Sequence, residues 1–151
     1  LLDDMHVELI SDRIHLPPEL LQMIFRLIDH GHITLVTDSM RAAGMPEGPT
    51  VLGSLKYNFQ CIAEDGVAKV LDRSCFAGST ATADRMIRVL VKKLHMPVWE
   101  AVQYMSRNPA KLYGIYDRTG SIKAGKAADL LIFDDDINIK NVFVDGNPVS
   151  M

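Results

Sequence analysis

Hydrophobic positions near the start of the chain predict a strand, a helix and a second strand. Residues Val7 to Ser11 form a short apolar run. After Pro17 and Pro18, which suit the first turn of a helix because the missing N–H costs nothing there, apolar residues recur at helical spacing as far as Gly31. Ile33 to Thr37 is rich in β-branched residues, as is typical of a strand buried on both faces. The pattern predicts a β-α-β unit, whose two strands run parallel.

After Asp38 the pattern of hydrophobic and polar positions changes. Arg41 to Pro49 is rich in Gly, Pro and Ala and predicts a loop. Val51 to Leu71 predicts short antiparallel strands that turn at Asp65-Gly66, a dipeptide typical of hairpins. Gly78-Ser79-Thr80 is predicted to open a helix, since Ser and Thr favour the cap position.

Two further helices and a second β region complete the predicted elements. One helix is predicted from Pro97 to Met105, and a shorter one is predicted to be capped by Asn108-Pro109. The apolar run Ala128 to Phe133 predicts a strand, and Asn141 to Val149 predicts a hairpin that turns at Asp145-Gly146. Overall the order of elements predicts an α/β fold.

Composition and charge narrow the possible partners. Of the 151 residues, 48% are hydrophobic, and 16 Lys and Arg against 19 Asp and Glu give a net charge of −3. This balance argues against nucleic-acid binding, which normally needs a concentrated basic face. No apolar run approaches the roughly 18 residues of a membrane span, so no membrane partner is expected. Cys61 and Cys75 show neither metal-site nor disulfide spacing, and we expect a cytoplasmic location.

Asp38 is the first candidate for chemistry, because it follows a buried parallel strand. In α/β folds the carboxyl ends of the strands are where ligands bind and catalytic groups project. The alternative is an aspartate that only forms a turn or caps a helix. His15 follows the other strand of the unit and is expected on the same side. His30 and His32 precede the second strand, roughly 20 Å from Asp38, and cannot share a metal with it.

Several segments, in this order, resemble the N-acetylglucosamine-6-phosphate deacetylase family of the amidohydrolase superfamily. They are Asp12-Arg13-Ile14-His15, Leu35 to Met40 followed by Ala43-Gly44, Ala77 to Thr80, Asn108-Pro109-Ala110, and Gly120 to Leu130. The resemblance runs from about Val7 to Val149. The Asn-Pro-Ala and Gly-Lys-Ala-Ala-Asp-Leu segments indicate only the superfamily, whereas the others indicate the deacetylases.

The resemblance implies a fold and a division into domains. We expect the C-terminal portion of a (β/α)8 TIM barrel, with its seventh and eighth strands at Val7 to Ser11 and Ile33 to Thr37, plus strands of a small β-sandwich lobe. Residues 1–115 would belong to the partial barrel and residues 116–151 to the lobe. Because such a barrel takes about 250 residues, and the chain begins with Leu1, we expect it to be part of a longer protein.

The resemblance also implies the site and its chemistry. Asp38 matches the catalytic aspartate, which takes a proton from water and delivers it to the departing sugar amine. A divalent metal, zinc or iron, polarises the acetyl carbonyl, and its ligands come from earlier strands that this chain lacks, so no metal ligand is assigned here. The implied substrate is an amino-sugar phosphate and the implied assembly a homodimer. Two segments match substrate contacts: Asp12, Arg13, Ile14 and His15, and Phe76, Ala77 and Gly78.

One departure and two alternatives qualify this interpretation. The family usually has glycine where this chain has Arg13, which adds bulk and charge beside His15. The first alternative is another amidohydrolase that acts on a cyclic amide, similar to dihydroorotase or hydantoinase. The second is a remnant that folds or associates but catalyses nothing.

Overall fold

The predicted β-α-β unit is present in the computed structural model, which describes residues 5–150. Strand β1 spans Val7–Leu9, helix α1 Pro18–Leu27 and strand β2 Ile33–Leu35. The two strands pair in parallel, and both are shorter than predicted. Helix α1 places Pro in its first turn and buries Leu21 and Phe25, as the helical spacing of its apolar residues requires.

A four-stranded antiparallel sheet follows, in the order β3-β4-β5-β6. The β4–β5 turn lies at Asp65-Gly66, as predicted, and both residues have positive φ, 54° and 75°. A two-residue turn of this kind matches the twist of the paired strands. The strands are β3 Gly48–Leu52, β4 Phe59–Glu64, β5 Val67–Val70 and β6 Phe76–Ser79.

The prediction that Gly78-Ser79-Thr80 opens a helix is wrong. Gly78 and Ser79 end strand β6, and helix α2 begins only at Ala83 and ends at Lys93. The physical reason is pairing: Ser79 lies opposite Val67 of β5 and also forms a parallel bridge with Ser39. These backbone hydrogen bonds outweigh the local preference of Ser and Thr for a cap.

Two short helices lie beyond α2. Helix α3 spans Val98–Ala101 and continues as a 3₁₀ turn, and helix α4 spans Arg107–Leu112. The prediction that Asn108 caps its own helix is wrong. Its buried side chain instead donates from Nδ2 to the carbonyl oxygens of His30 at 2.6 Å and Ile33 at 2.7 Å. This amide ties α4 to the start of β2.

The last part of the chain forms a third, antiparallel sheet. Its strands are β7 Leu130–Phe133, β8 Ile139–Val144 and β9 Asn147–Val149. The predicted turn at Asp145-Gly146 is confirmed, again with positive φ at both residues. Among residues 5–150, no helix has both the length and the apolar composition needed to cross a bilayer.

The third sheet is attached to the main core through the loop between β7 and β8. Ile137 is 3% exposed and has a φ of 61°, an unusual conformation for a β-branched residue. The Arg88 side chain, on α2, donates to the carbonyl oxygens of both Asp136 and Ile137 at 2.9 Å.

The main core is formed by buried apolar residues from separate parts of the chain. They are Leu9, Leu21, Phe25, Ile33, Leu35, Ala81, Met86, Ile87, Leu90, Ala101, Tyr104 and Ile137. The domain boundary after residue 115 stays a prediction.

Candidate active site

Parallel pairing places the loops after β1 and β2 at the same end of the small sheet. The register pairs Val7 with Ile33 and Leu9 with Leu35, and the N–H of Val36 donates to the carbonyl oxygen of Leu9 at 3.0 Å. Both strands therefore end together, and the chain continues from each at the same edge. The segment that ends at His15 leaves β1 there, and Asp38 leaves β2 there.

Asp38 lies in a turn that strand β6 holds in place. Its backbone oxygen accepts a hydrogen bond from the N–H of Ser79 at 3.1 Å, and the N–H of Met40 donates to the oxygen of Ser79 at 2.9 Å. The Asp38 side chain is exposed, and its φ is 47°. Asp and Asn are the side chains that best tolerate this left-handed conformation, so the backbone itself favours a short polar residue here.

Strand β6 brings the second predicted substrate segment beside Asp38. Gly78 has a φ of 141°, and a Cβ built on it would lie 3.5 Å from the Cβ of Met40 and 3.9 Å from the Asp38 oxygen. There is room for a methyl group, so the requirement for glycine comes from the backbone conformation. A cavity of about 310 Å³ opens here. It is lined by Asp38, Ser39, Met40, Arg41, Leu52, Gly53, Ala77 and Gly78.

Asp12 organises the turn after β1. Its Oδ1 accepts from the N–H groups of Ile14 at 2.9 Å and His15 at 3.0 Å, and its Oδ2 lies 2.9 Å from His15 Nδ1. The Asp12 side chain is completely buried. Burial by itself would raise the pKa of this carboxyl, but the hydrogen bonds from His15 and Ile14 outweigh it and the pKa is lowered. Asp12 is thus an ionised carboxylate with both oxygens occupied.

His15 connects this turn to strand β6. Its ring centroid lies 5.1 Å from that of Phe76, with the two planes tilted by 60°. Since Phe76 is in the same strand as Gly78, the aromatic contact joins the Asp12–His15 turn to the Asp38 side of the site. The eight predicted site residues therefore lie at one end of the β1–β2 pair, and their roles stay predictions.

Arg13 occupies the position where the resemblance leads one to expect glycine, and the backbone explains that expectation. Its φ is 68°, in the left-handed region that glycine enters freely and other residues enter at a cost of about 1–2 kcal/mol. The side chain of Arg13 is exposed. The turn therefore has a glycine-type conformation although its residue is arginine.

Replacing Arg13 with glycine is expected to raise the free energy of unfolding by about 0.5–1 kcal/mol. The left-handed strain disappears, and the greater freedom of glycine in the unfolded chain offsets part of the gain. Urea unfolding of the two proteins measures the difference. Arg118→Gly is a suitable control, because Arg118 is also exposed and is not among the positive-φ residues; it should lose stability. A destabilised Arg13→Gly protein would contradict the prediction.

His6, His30 and His32 lie at the opposite end of the strands, as expected for His30 and His32. The rings of His6 and His32 lie with their centroids 4.6 Å apart, beside the first residues of β1 and β2. His30 contacts Phe25, Glu100 and Tyr104. Within residues 5–150, no group of three or more His, Cys, Asp or Glu side chains is arranged to hold a metal ion.

Sequence reasoning missed part of the cavity lining. Ser39, Met40 and Arg41 follow Asp38 directly, so their proximity to it is a signal that was available. Leu52 and Gly53 come from the β3–β4 hairpin and carry no local signal. They line the cavity beside Arg41, which donates from Nη2 to the oxygen of Gly53 at 2.7 Å.

Comparison with known proteins identifies relatives of this chain. The N-acetylglucosamine-6-phosphate deacetylase of Vibrio furnissii is 33% identical over 143 residues, which are 95% of this chain and 34% of that protein. The N-acetylgalactosamine-6-phosphate deacetylase of Escherichia coli O157:H7 is 29% identical over 144 residues, 95% of this chain and 37% of that protein. The chain thus spans about a third of the length of these curated relatives.

Solved structures agree with the sequence comparison. A variant N-acetyl-D-glucosamine-6-phosphate deacetylase from Mycobacterium smegmatis, in complex with N-acetyl-D-glucosamine-6-phosphate, superposes with a TM-score of 0.86 at 30% identity. The match covers 97% of this chain and 38% of that one. Residues 9–149 also match the model of the amidohydrolase family, and the chain belongs to that family.

Proposed function

We propose that this chain supplies the proton-transfer aspartate of an enzyme that deacetylates N-acetylglucosamine 6-phosphate to glucosamine 6-phosphate and acetate. The observation that carries the proposal is the position of Asp38, exposed at the carboxyl end of β2 and beside the cavity that Gly78 lines. Relatives and a ligand-bound structure named for this activity support it. The E. coli O157:H7 relative makes the galactose epimer a second candidate substrate.

The chemistry assigned to this chain is acid–base catalysis by Asp38. The carboxylate accepts a proton from the attacking water, and the resulting acid donates a proton to the nitrogen of the departing amine, which leaves poorly as an anion. The exposed position allows the carboxylate to reach both water and substrate. We assign substrate contacts to His15 and to the segment Phe76–Gly78. The buried Asp12, which contacts His15, has a supporting role.

The described residues do not by themselves fit a metal site. A catalytic zinc site needs three protein ligands and an open position, and the candidate site offers only Asp38 and His15 as donors. We propose that the ligands for a divalent metal come from other segments of the protein, whose relatives are about three times as long as this chain. In the same proposal, β1 and β2 are strands seven and eight of a barrel, and β7–β9 are part of a β-sandwich lobe. The other segments of the protein complete the barrel and the lobe.

A chimera tests the proposed function. Residues 1–151 replace the matching segment of the Vibrio furnissii deacetylase, and acetate release from N-acetylglucosamine 6-phosphate is measured, with N-acetylgalactosamine 6-phosphate and dihydroorotate as competing substrates. We expect turnover of an amino-sugar phosphate. A chimera that folds and retains metal but releases no acetate would refute the proposal, and turnover of dihydroorotate would favour the cyclic-amide alternative.

The chain alone is expected neither to retain a metal nor to release acetate. Two donors, one of them needed as the base, bind a metal weakly and do not hold a water for attack. Metal content is measured by mass spectrometry after dialysis, and acetate release is measured in the same preparation. Stoichiometric zinc or iron together with turnover would contradict this expectation.

We also propose that the chain, without the segments that complete the fold, associates with a second copy or exchanges elements with it. In the part of the chain that the structure describes, β1 and β2 form a two-stranded sheet, so each strand has one edge without a partner strand. Such edges recruit other strands. Sedimentation at micromolar concentrations should show a dimer, whereas a compact monomer over the whole concentration range would contradict the proposal.

A further inference from the structure

The contact between Asp12 and His15 determines which nitrogen of His15 carries a proton. Asp12 is buried, its pKa is lowered, and an ionised carboxylate only accepts hydrogen bonds. His15 Nδ1 lies 2.9 Å from Asp12 Oδ2 and must therefore be the donor. The neutral imidazole is then the Nδ1–H tautomer, and the lone pair is on Nε2.

The second ring nitrogen of His15, Nε2, has no hydrogen-bond partner among the described residues. It lies across the ring from the nitrogen that Asp12 holds. The side chain of His15 is only 16% exposed, and its ring rests against Phe76. Contacts on two sides thus fix the direction of Nε2.

His30 serves as an internal reference, because its ring nitrogens have partners of their own. Its Nε2 lies 2.9 Å from the carbonyl oxygen of Phe25, and its Nδ1 lies 3.0 Å from both Glu100 Oε1 and the hydroxyl of Tyr104. None of these contacts involves Asp12. The His30 signals therefore report on the fold and not on the contact between Asp12 and His15.

We propose that Asp12 is a positioning residue that fixes His15 as the Nδ1–H tautomer and presents Nε2 to the substrate. Neutral Nε2 accepts a hydrogen bond from a hydroxyl or amide N–H group, and protonated Nε2 donates one to a carbonyl oxygen. The identity of that substrate rests on the proposed function. The tautomer is a property of this chain and is independent of turnover.

Two-bond ¹H–¹⁵N correlation spectra of the 151-residue chain with labelled histidine test the proposal, because they distinguish the two tautomers. His15→Gln assigns the His15 signals. The wild-type protein should show Nδ1–H for His15. In Asp12→Asn, Oδ1 keeps the backbone hydrogen bonds and the amide nitrogen faces Nδ1, so His15 should change to the Nε2–H tautomer. The corresponding substitution in the serine-protease triad gives the wrong tautomer in the same way.

A second variant separates the tautomer from the shape of the turn. In Asp12→Ser the hydroxyl accepts from the backbone N–H groups but is too short to reach the ring, so His15 should become a mixture of tautomers. His30 should be unchanged in both variants. An Nε2–H tautomer of His15 in the wild-type protein, or an unchanged Nδ1–H tautomer in either folded variant, would overturn the proposal. The tautomer is measured without turnover, so failure of this proposal is distinguishable from failure of the catalytic role proposed for Asp38. Asp38→Asn should leave the His15 signals unchanged.

Discussion

Asp38→Asn is expected to lower the kcat of the chimera by about 10²- to 10⁴-fold, the range found when an acid–base group is removed. The amide cannot accept the proton of the attacking water or return it to the amine. Asparagine tolerates the left-handed backbone of this position, where φ is 47°, as well as aspartate does. The substitution therefore removes the carboxylate and leaves the turn intact. Steady-state acetate release gives kcat and KM.

The control for Asp38 is an aspartate that lies outside the site. Asp135 is exposed in the loop between β7 and β8, and Asp135→Asn makes the same chemical change at a distance from the cavity. Its kcat should stay within twofold of the parent chimera. Both variants should unfold at the urea concentration of the parent, which excludes a folding defect. A kcat for Asp38→Asn within tenfold of the parent would show that another group transfers the proton.

Asn108→Ala is expected to lower the free energy of unfolding by about 2–3 kcal/mol. It removes the donor that reaches His30 and Ile33 and leaves the buried Ile33 carbonyl without this partner, at a cost of about 1–3 kcal/mol for such a group. Water can replace the amide only at the exposed His30. The small gain in helix propensity from alanine offsets part of the loss.

Urea unfolding of this chain measures the effect of Asn108→Ala, with Asn141→Ala as the matched control. Asn141 lies exposed in β8, and its loss should change stability by less than about 0.5 kcal/mol. Asn108→Asp should be worse than Asn108→Ala, because it places carboxylate oxygens against two carbonyl oxygens. Equal stability of Asn108→Ala and the wild-type protein would show that the amide contributes nothing.

Features with a local cause could be predicted from the sequence. The Asp-Gly dipeptides at residues 65–66 and 145–146 determine their turns through their own backbone preferences. The β-α-β unit follows from two apolar runs and a helical spacing between them. Once the strands are parallel, His15 and Asp38 must leave at the same end, so the candidate site follows from topology.

Features with a distant cause could not be predicted. Ser79 ends a strand instead of capping a helix because of pairing with Val67 and Ser39. Asn108 binds a carbonyl group 75 residues away in the sequence. Its position at the start of a helix predicts a cap, because the local sequence does not show this distant partner. The tautomer of His15 depends on the burial of Asp12, and a sequence shows the two residue types but not the burial.

The loop that carries Ile137 has a consequence for how this chain can be cut or extended. Polar surface loops usually accept insertions and are common sites of proteolytic cleavage, and Asp134-Asp135-Asp136 has that composition. Here Arg88 holds the backbone on both sides of a side chain buried in the core. An affinity tag inserted in this loop would pull the side chain of Ile137 out of the core. A tag inserted at the Asp145-Gly146 turn would leave that core undisturbed.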